Sequence, residues 1–105
     1  MQKFICNAFS PSMVPAECSV EIKEITPEFA AEFAAEAVSA VGLEDAVRAF
    51  AAVGVTVALN RTTVKLYGND VVVVGIYSGP RLPPGAVSLP EGAEISWRLV
   101  RVLPS

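Results

Sequence analysis

Hydrophobic and polar positions along the chain change period several times, and each change marks an element. Lys3 to Ala8 is a short apolar run that reads as a first strand, ended by the Ser10-Pro11-Ser12 loop. A second strand follows, with Cys18, Val20 and Ile22 on one face and Ser19, Glu21 and Lys23 on the other. Thr26-Pro27-Glu28 starts a helix: threonine caps it, proline fits its first position, and an acid favours its first turn. Phe29, Phe33 and Ala37 then recur every fourth residue, so the pattern predicts a helix to about Ala40. Glu28, Glu32 and Glu36 form an acidic stripe beside them, read as a solvated face. Gly42 separates this helix from a second, about Glu44 to Val53 and closed by Gly54. Its buried side is expected to be Val47, Phe50 and Ala51, with Glu44 paired to Arg48.

Beyond Gly54 the period becomes that of strands. Val55–Leu59 and Thr62–Tyr67 read as strands joined through Asn60-Arg61, and Gly68-Asn69-Asp70 reads as a turn. Val71 to Ile76 is almost wholly apolar, which predicts a central strand covered on both faces. Ser78 to Gly85 holds three prolines and reads as a rigid loop, and a last strand, about Glu94 to Leu103, carries Trp97. The sum is one α/β (α+β) domain over residues 1–105: a mixed sheet of about five to six strands flanked by two or more helices.

Composition narrows the function. With 105 residues, 52% hydrophobic and 18% charged, the chain builds a core without staples and is not disordered. No apolar run reaches the ~18 residues of a membrane span, and residues 1–13 do not read as a secretory signal, so a cytoplasmic protein is expected. Histidine is absent, which excludes a His-dependent triad, a His acid or base, and a Cys/His zinc site. Cys6 and Cys18 are too few to hold a structural metal alone, and two reduced, buried thiols are expected. No metal and no cofactor is expected.

Net charge is −3, which disfavours duplex nucleic acid as a partner, but the charge is split. Residues 1–47 carry two bases against eight acids, whereas residues 48–105 carry six bases against three acids. An anion site on the later half is compatible with that split. No phosphate-cradling glycine motif and no nucleophile elbow is present. The suggestive residues are polar ones at strand ends: Asn7, Ser10, Asn60, Arg61 and Arg81. Arginines at strand ends fork onto phosphates, and ligands of open α/β sheets gather there. The alternative is that Asn7 and Ser10 make turns while both arginines lie on the surface.

The series Asn7-Ala8-Phe9-Ser10 with Met13, Ser39 to Asp45, Asn60-Arg61 with Val64-Lys65, Arg81-Leu82-Pro83, and Trp97-Arg98-Leu99-Val100 resembles one family over essentially the whole chain. It is the small dimeric family of archaeal viruses, phages and bacteria that includes the viral anti-CRISPR ring nucleases. The resemblance implies a homodimer that binds cyclic tetra-adenylate, the second messenger of type III CRISPR defence, across its interface. It also implies metal-independent cleavage: a ribose 2′-OH attacks the adjacent phosphate and a histidine protonates the departing 5′-oxygen. Linear di-adenylate with a 2′,3′-cyclic phosphate is the product. Carried onto this chain, the resemblance makes Arg81 the catalytic stabiliser of phosphate charge. The ligand-binding set it implies is Asn7, Ala8, Phe9, Ser10, Gly42, Leu43, Arg61, Arg81 and Leu82. Two copies each of Arg61 and Arg81 would meet the four charges of the ring.

The sequence departs from that family where the chemistry sits. The histidine position is Leu43, and the glutamate position after Arg81-Leu82 is Pro84. Leucine has no proton to give and proline no carboxylate, and general acid catalysis is typically worth about 10²–10⁴ in rate. Tyr67 and Tyr77 are conceivable substitutes. The leading reading is therefore a sponge, a sensor or a slow ring nuclease. One alternative is an active ring nuclease by substrate-assisted 2′-OH attack; another is a dimeric scaffold or nucleic-acid-binding protein that keeps only the fold. The 52% hydrophobic content adds a little to the expectation of a C2 dimer, which would cover surplus apolar surface.

Overall fold

Eight short segments of regular structure make up the chain in the computed structural model, which describes residues 1–104. In chain order they are β1 (Lys3–Cys6), a 3-10 turn (Pro11–Met13), β2 (Val20–Glu24), α1 (Pro27–Ala34), β3 (Val38–Ser39), α2 (Glu44–Ala52), β4 (Val71–Ser78) and β5 (Glu94–Val102). The five strands form one mixed sheet in the order β2-β5-β4-β1-β3. β1 runs parallel to both β3 and β4, while β5 runs antiparallel to β4 and β2. The apolar run from Val71 is the middle strand of the five, and Val72 and Val73 are both fully buried on its opposite faces. That is the two-sided cover its unbroken hydrophobicity predicts.

Alternation along the strands divides the core in two. Phe4, Cys6, Val72, Val74, Val100 and Val102 build one cluster, against which Phe9, Met13 and Val14 pack. Ile5, Val71, Val73 and Trp97 build the other, under Ala30 and Phe33 of α1 and Phe50 of α2. Thr26 caps α1 as its sequence predicts, accepting the Phe29 N–H at 3.1 Å, with Pro27 in the first turn. Among the described residues, no helix is long and apolar enough to cross a membrane.

Several expectations need correction. Helix α1 stops at Ala34 rather than near Ala40. Its end tightens through Glu36 N–H to Phe33 O, and Val38 and Ser39 then pair with Phe4 and Ile5 of β1. A β-branched valine gains a ladder partner there that helix periodicity does not reveal. Residues 55–67 form no regular strand; only Val41 and Leu59 make an isolated parallel bridge. Side chains satisfy the backbone instead: Ser39 Oγ donates to Ala58 O at 2.6 Å and Asn60 Nδ2 donates to Ser39 O at 2.6 Å. The alternation there still works as burial, since Val55, Val64 and Leu66 are all buried. On α2, Ala49 and Phe50 are the buried residues and Ala51 is exposed, and Arg48 pairs with Asp45 rather than Glu44. Both cysteines are free, but only Cys6 is buried; Cys18 is exposed just before β2.

Candidate functional site

The carboxyl ends of β1 and β4 lie side by side, because Cys6 pairs with Val74 and both strands point the same way. Beyond them the chain diverges, β3 lying on one side of β1 and β4 on the other. A crevice outside strand ends at such a switch point is where open sheets bind ligands. Two cavities open here, and Asn7, the first residue after β1, lines both.

The first cavity has a volume of about 410 Å³. Its floor is Ala46, Ala49 and Phe50 of α2 with Gly75 and Ile76 of β4, and its rim is Asn7, Leu43, Asp45, Tyr77, Gly79, Arg81 and Leu82. Leu82 is buried and anchors the loop, leaving Arg81 exposed at the rim. That loop is fastened at two further points. Tyr77 donates its hydroxyl proton to Pro80 O, and Arg48 Nη1 donates to Pro83 O at 3.0 Å. Arg48 Nη2 also bonds Asp45 Oδ1 at 2.9 Å, so one guanidinium links α2 to the proline-rich loop. The second cavity, about 490 Å³, carries Ala8, Ser12, Gly42, Arg61, Thr62, Thr63 and Lys65 beside Asn7.

The peptide of Gly42 joins the two. Asn7 Oδ1 accepts the Gly42 N–H at 3.4 Å, and Arg61 Nε donates to Gly42 O at 2.9 Å. Leu43 follows as the cap residue of α2, with extended backbone and no side-chain cap bond. Leucine cannot accept the first-turn amide protons, so they stay open to another acceptor. Cys6 also lines the second cavity, its thiol bonded to Ala8 O at 3.0 Å. Burial pushes that thiol up to about 11, with a backbone hydrogen bond at Ala8 opposing it, so it is a neutral side chain rather than a nucleophile.

The structure thus brings Asn7, Leu43, Arg81 and Leu82 to one cavity, and Asn7, Ala8, Gly42 and Arg61 to the other. It does not bring in Phe9 or Ser10. Phe9 packs against the core, and Ser10 caps the 3-10 turn, its Oγ accepting Ser12 N–H at 3.3 Å while its own N–H meets Met13 Sδ at 3.1 Å. Ser10 therefore makes a turn. Pro84 lines a separate open cleft with Glu44, Arg48 and Arg81. Of the two tyrosines, Tyr77 reaches the first cavity and Tyr67 lies outside it. Sequence reading missed Asp45, Phe50 and Gly75 as lining residues, and Lys65 in the second cavity; the Arg48 partner three residues after Asp45 was the one local signal. Among the described residues, no three His, Cys, Asp or Glu side chains gather where a metal ion would be held.

A known family's sequence pattern matches the chain over residues 3–97. The chain belongs to the STIV B116-like family. Asn7, Leu43, Arg61 and Arg81 all fall inside the matched stretch. Among solved structures it is similar to B116 of Sulfolobus turreted icosahedral virus, with a TM-score of 0.78 and 24% identity over 95% of this chain and 98% of that one. At that identity the likeness speaks for the fold. No curated protein matches the chain.

Proposed function

We propose that this STIV B116-like protein binds cyclic tetra-adenylate at the carboxyl ends of β1 and β4, as a homodimer whose two copies share the ring. The observation that carries the reading is the pair of cavities meeting at Asn7, each supplied with an arginine: Arg81 in one, Arg61 in the other. A cyclic ribonucleotide presents bases and phosphodiesters alternately, and adjoining apolar and cationic recesses suit that alternation. The second copy is supported by Leu43 and Ile76, two large hydrophobics that stand exposed in the wall of the first cavity. A partner seated there would cover them and double the arginines to match four phosphates.

Cleavage, where it occurs, follows in-line attack. A ribose 2′-oxygen forms a bond to the neighbouring phosphorus, the bond from phosphorus to the 5′-oxygen breaks, and the 2′-OH proton ends on that 5′-oxygen through water. Arg81 would hold the charge that builds on the phosphoryl oxygens. Leu43 supplies no proton, so the protein is a sponge, a sensor or a slow ring nuclease acting on type III CRISPR signalling. The test is filtration of excess protein with cyclic tetra-adenylate, followed by chromatography of retained and free fractions. Retained ring, intact or slowly cut to di-adenylate, supports the reading, and Arg81→Ala should weaken retention at least tenfold. Ring recovered free and intact from the wild-type protein would overturn it.

A further inference from the structure

The two cavities differ in chemistry in a way that the pairing of arginines does not explain. The second holds Arg61, Lys65 and hydroxyls with no acid among its lining residues, as a phosphate requires. The first has an aromatic and aliphatic floor and a carboxylate on its rim, Asp45. A carboxylate beside a low-dielectric wall repels a phosphate, and Arg48 already occupies one of its oxygens. Its other oxygen, Oδ2, accepts no hydrogen bond from the described residues, and Asn7 uses only its Oδ1, leaving its Nδ2 protons free. An apolar slot with one charged acceptor and one amide donor fits a flat heterocycle that carries an amino group.

We propose that the first cavity is a nucleobase subsite in which Asp45 Oδ2 accepts a hydrogen bond from the exocyclic amine of a purine. The base would lie over Phe50 and Ala49, Asn7 would donate to a ring nitrogen, and Arg81 at the rim would meet the attached phosphate. This rests on the reading that a ribonucleotide binds at these strand ends, but it assigns the apolar recess to base rather than phosphate. Asp45 then becomes a residue that sets specificity. Neither of its neighbours in the first turn of α2 takes that part: Glu44 is outside the cavity, and Ala46 has no polar side-chain atom.

The test uses the whole 15N-labelled chain and two probes, adenosine 5′-monophosphate and purine riboside 5′-monophosphate, which differ only in the 6-amino group. Millimolar adenosine monophosphate should move the Ala46, Ala49 and Gly75 amides, with the analogue lacking the amine binding about tenfold more weakly. In Asp45→Ala the two probes should bind alike. The substituted side chain is half-exposed, so the core is untouched. Equal binding of both probes to the wild-type chain overturns the proposal. So do shifts confined to the Arg61 and Lys65 cavity, or no shift at Ala46 and Ala49 when cyclic tetra-adenylate is retained. Monophosphate shifts at Ala46 and Ala49, lost with the amine, in a protein that does not retain the ring would uphold the subsite and defeat the cyclic ligand alone.

Discussion

Gly75 stands directly across the β4–β5 ladder from Trp97, so close that a Cβ built on it would lie 2.6 Å from Trp97 Cζ3. The same Cβ would be 2.7 Å from Phe50 Cζ. The missing side chain lets Phe50 and Trp97 settle together on the strand, ring centres 4.7 Å apart and tilted by 53°. Phe50 is both core and cavity floor, so this packing shapes the first cavity from beneath.

Gly75→Ala should therefore weaken both stability and ligand binding. Forcing a methyl group into a filled core costs typically ~1–3 kcal/mol. Urea unfolding would show the midpoint fall, and filtration with cyclic tetra-adenylate would show reduced retention by the folded variant. Full stability in Gly75→Ala would mean that the two rings move aside without cost.

The two cysteines should separate cleanly by reactivity. Cys6 is buried and its thiol is pushed up to about 11, whereas Cys18 is exposed. At pH 8 the Cys6 thiol therefore stays protonated, and the thiolate is the reacting form. Iodoacetamide should add once to the native chain and twice in denaturant, read by intact mass. Two rapid additions to the native chain would contradict the burial of Cys6.

Local signals carried more of the fold than of the site. Thr26-Pro27 started α1, Gly54 closed α2, and the valine run placed β4 in the middle, because caps and burial are written in neighbouring residues. Val38 pairs with Phe4, thirty-four positions earlier, and no helical periodicity foretells such a partner. The same limit hid the clamps of the site. Arg48 reaches Pro83 O, Arg61 reaches Gly42 O and Asn7 reaches Gly42 N–H, all long-range contacts made after the chain has folded. Arg61 and Arg81 were visible as residue types, yet which cavity each would enter was not.

Asp70 offers a test against pH. It is buried, and its carboxylate accepts the Gln2 N–H at 2.8 Å, Gln2 Nε2 at 2.8 Å and the Tyr67 N–H at 2.9 Å. Burial raises its pKa, but those hydrogen bonds, with the N-terminal charge, outweigh burial and hold it below the ordinary 3.8. A depressed folded pKa gives stability that is present above the unfolded value and lost as pH falls through the folded one. Asp70→Asn should cost about 2 kcal/mol at pH 7, a drop in Tm on the order of 10 °C. The gap should hold down to about pH 4 and narrow below it. A gap that widens on acidification would contradict the sign.

The last prediction concerns the proton that Leu43 cannot supply. Leu43 is 58% exposed, caps α2 and lines the same cavity as Arg81. An imidazole at that position would stand at the cavity rim with nothing displaced from the core. Leu43→His should then accelerate conversion of cyclic tetra-adenylate to di-adenylate by about 10²–10⁴, the usual worth of a general acid. The acid form is required, so the rate should fall as pH rises through the new imidazole's pKa, ordinarily about 6.5 and lowered by the helix N-terminus. Single-turnover chromatography in excess chelator measures both the rate and its pH profile. Unchanged cleavage by a variant that still retains the ring would show that Leu43 does not occupy a vacated proton-donor position.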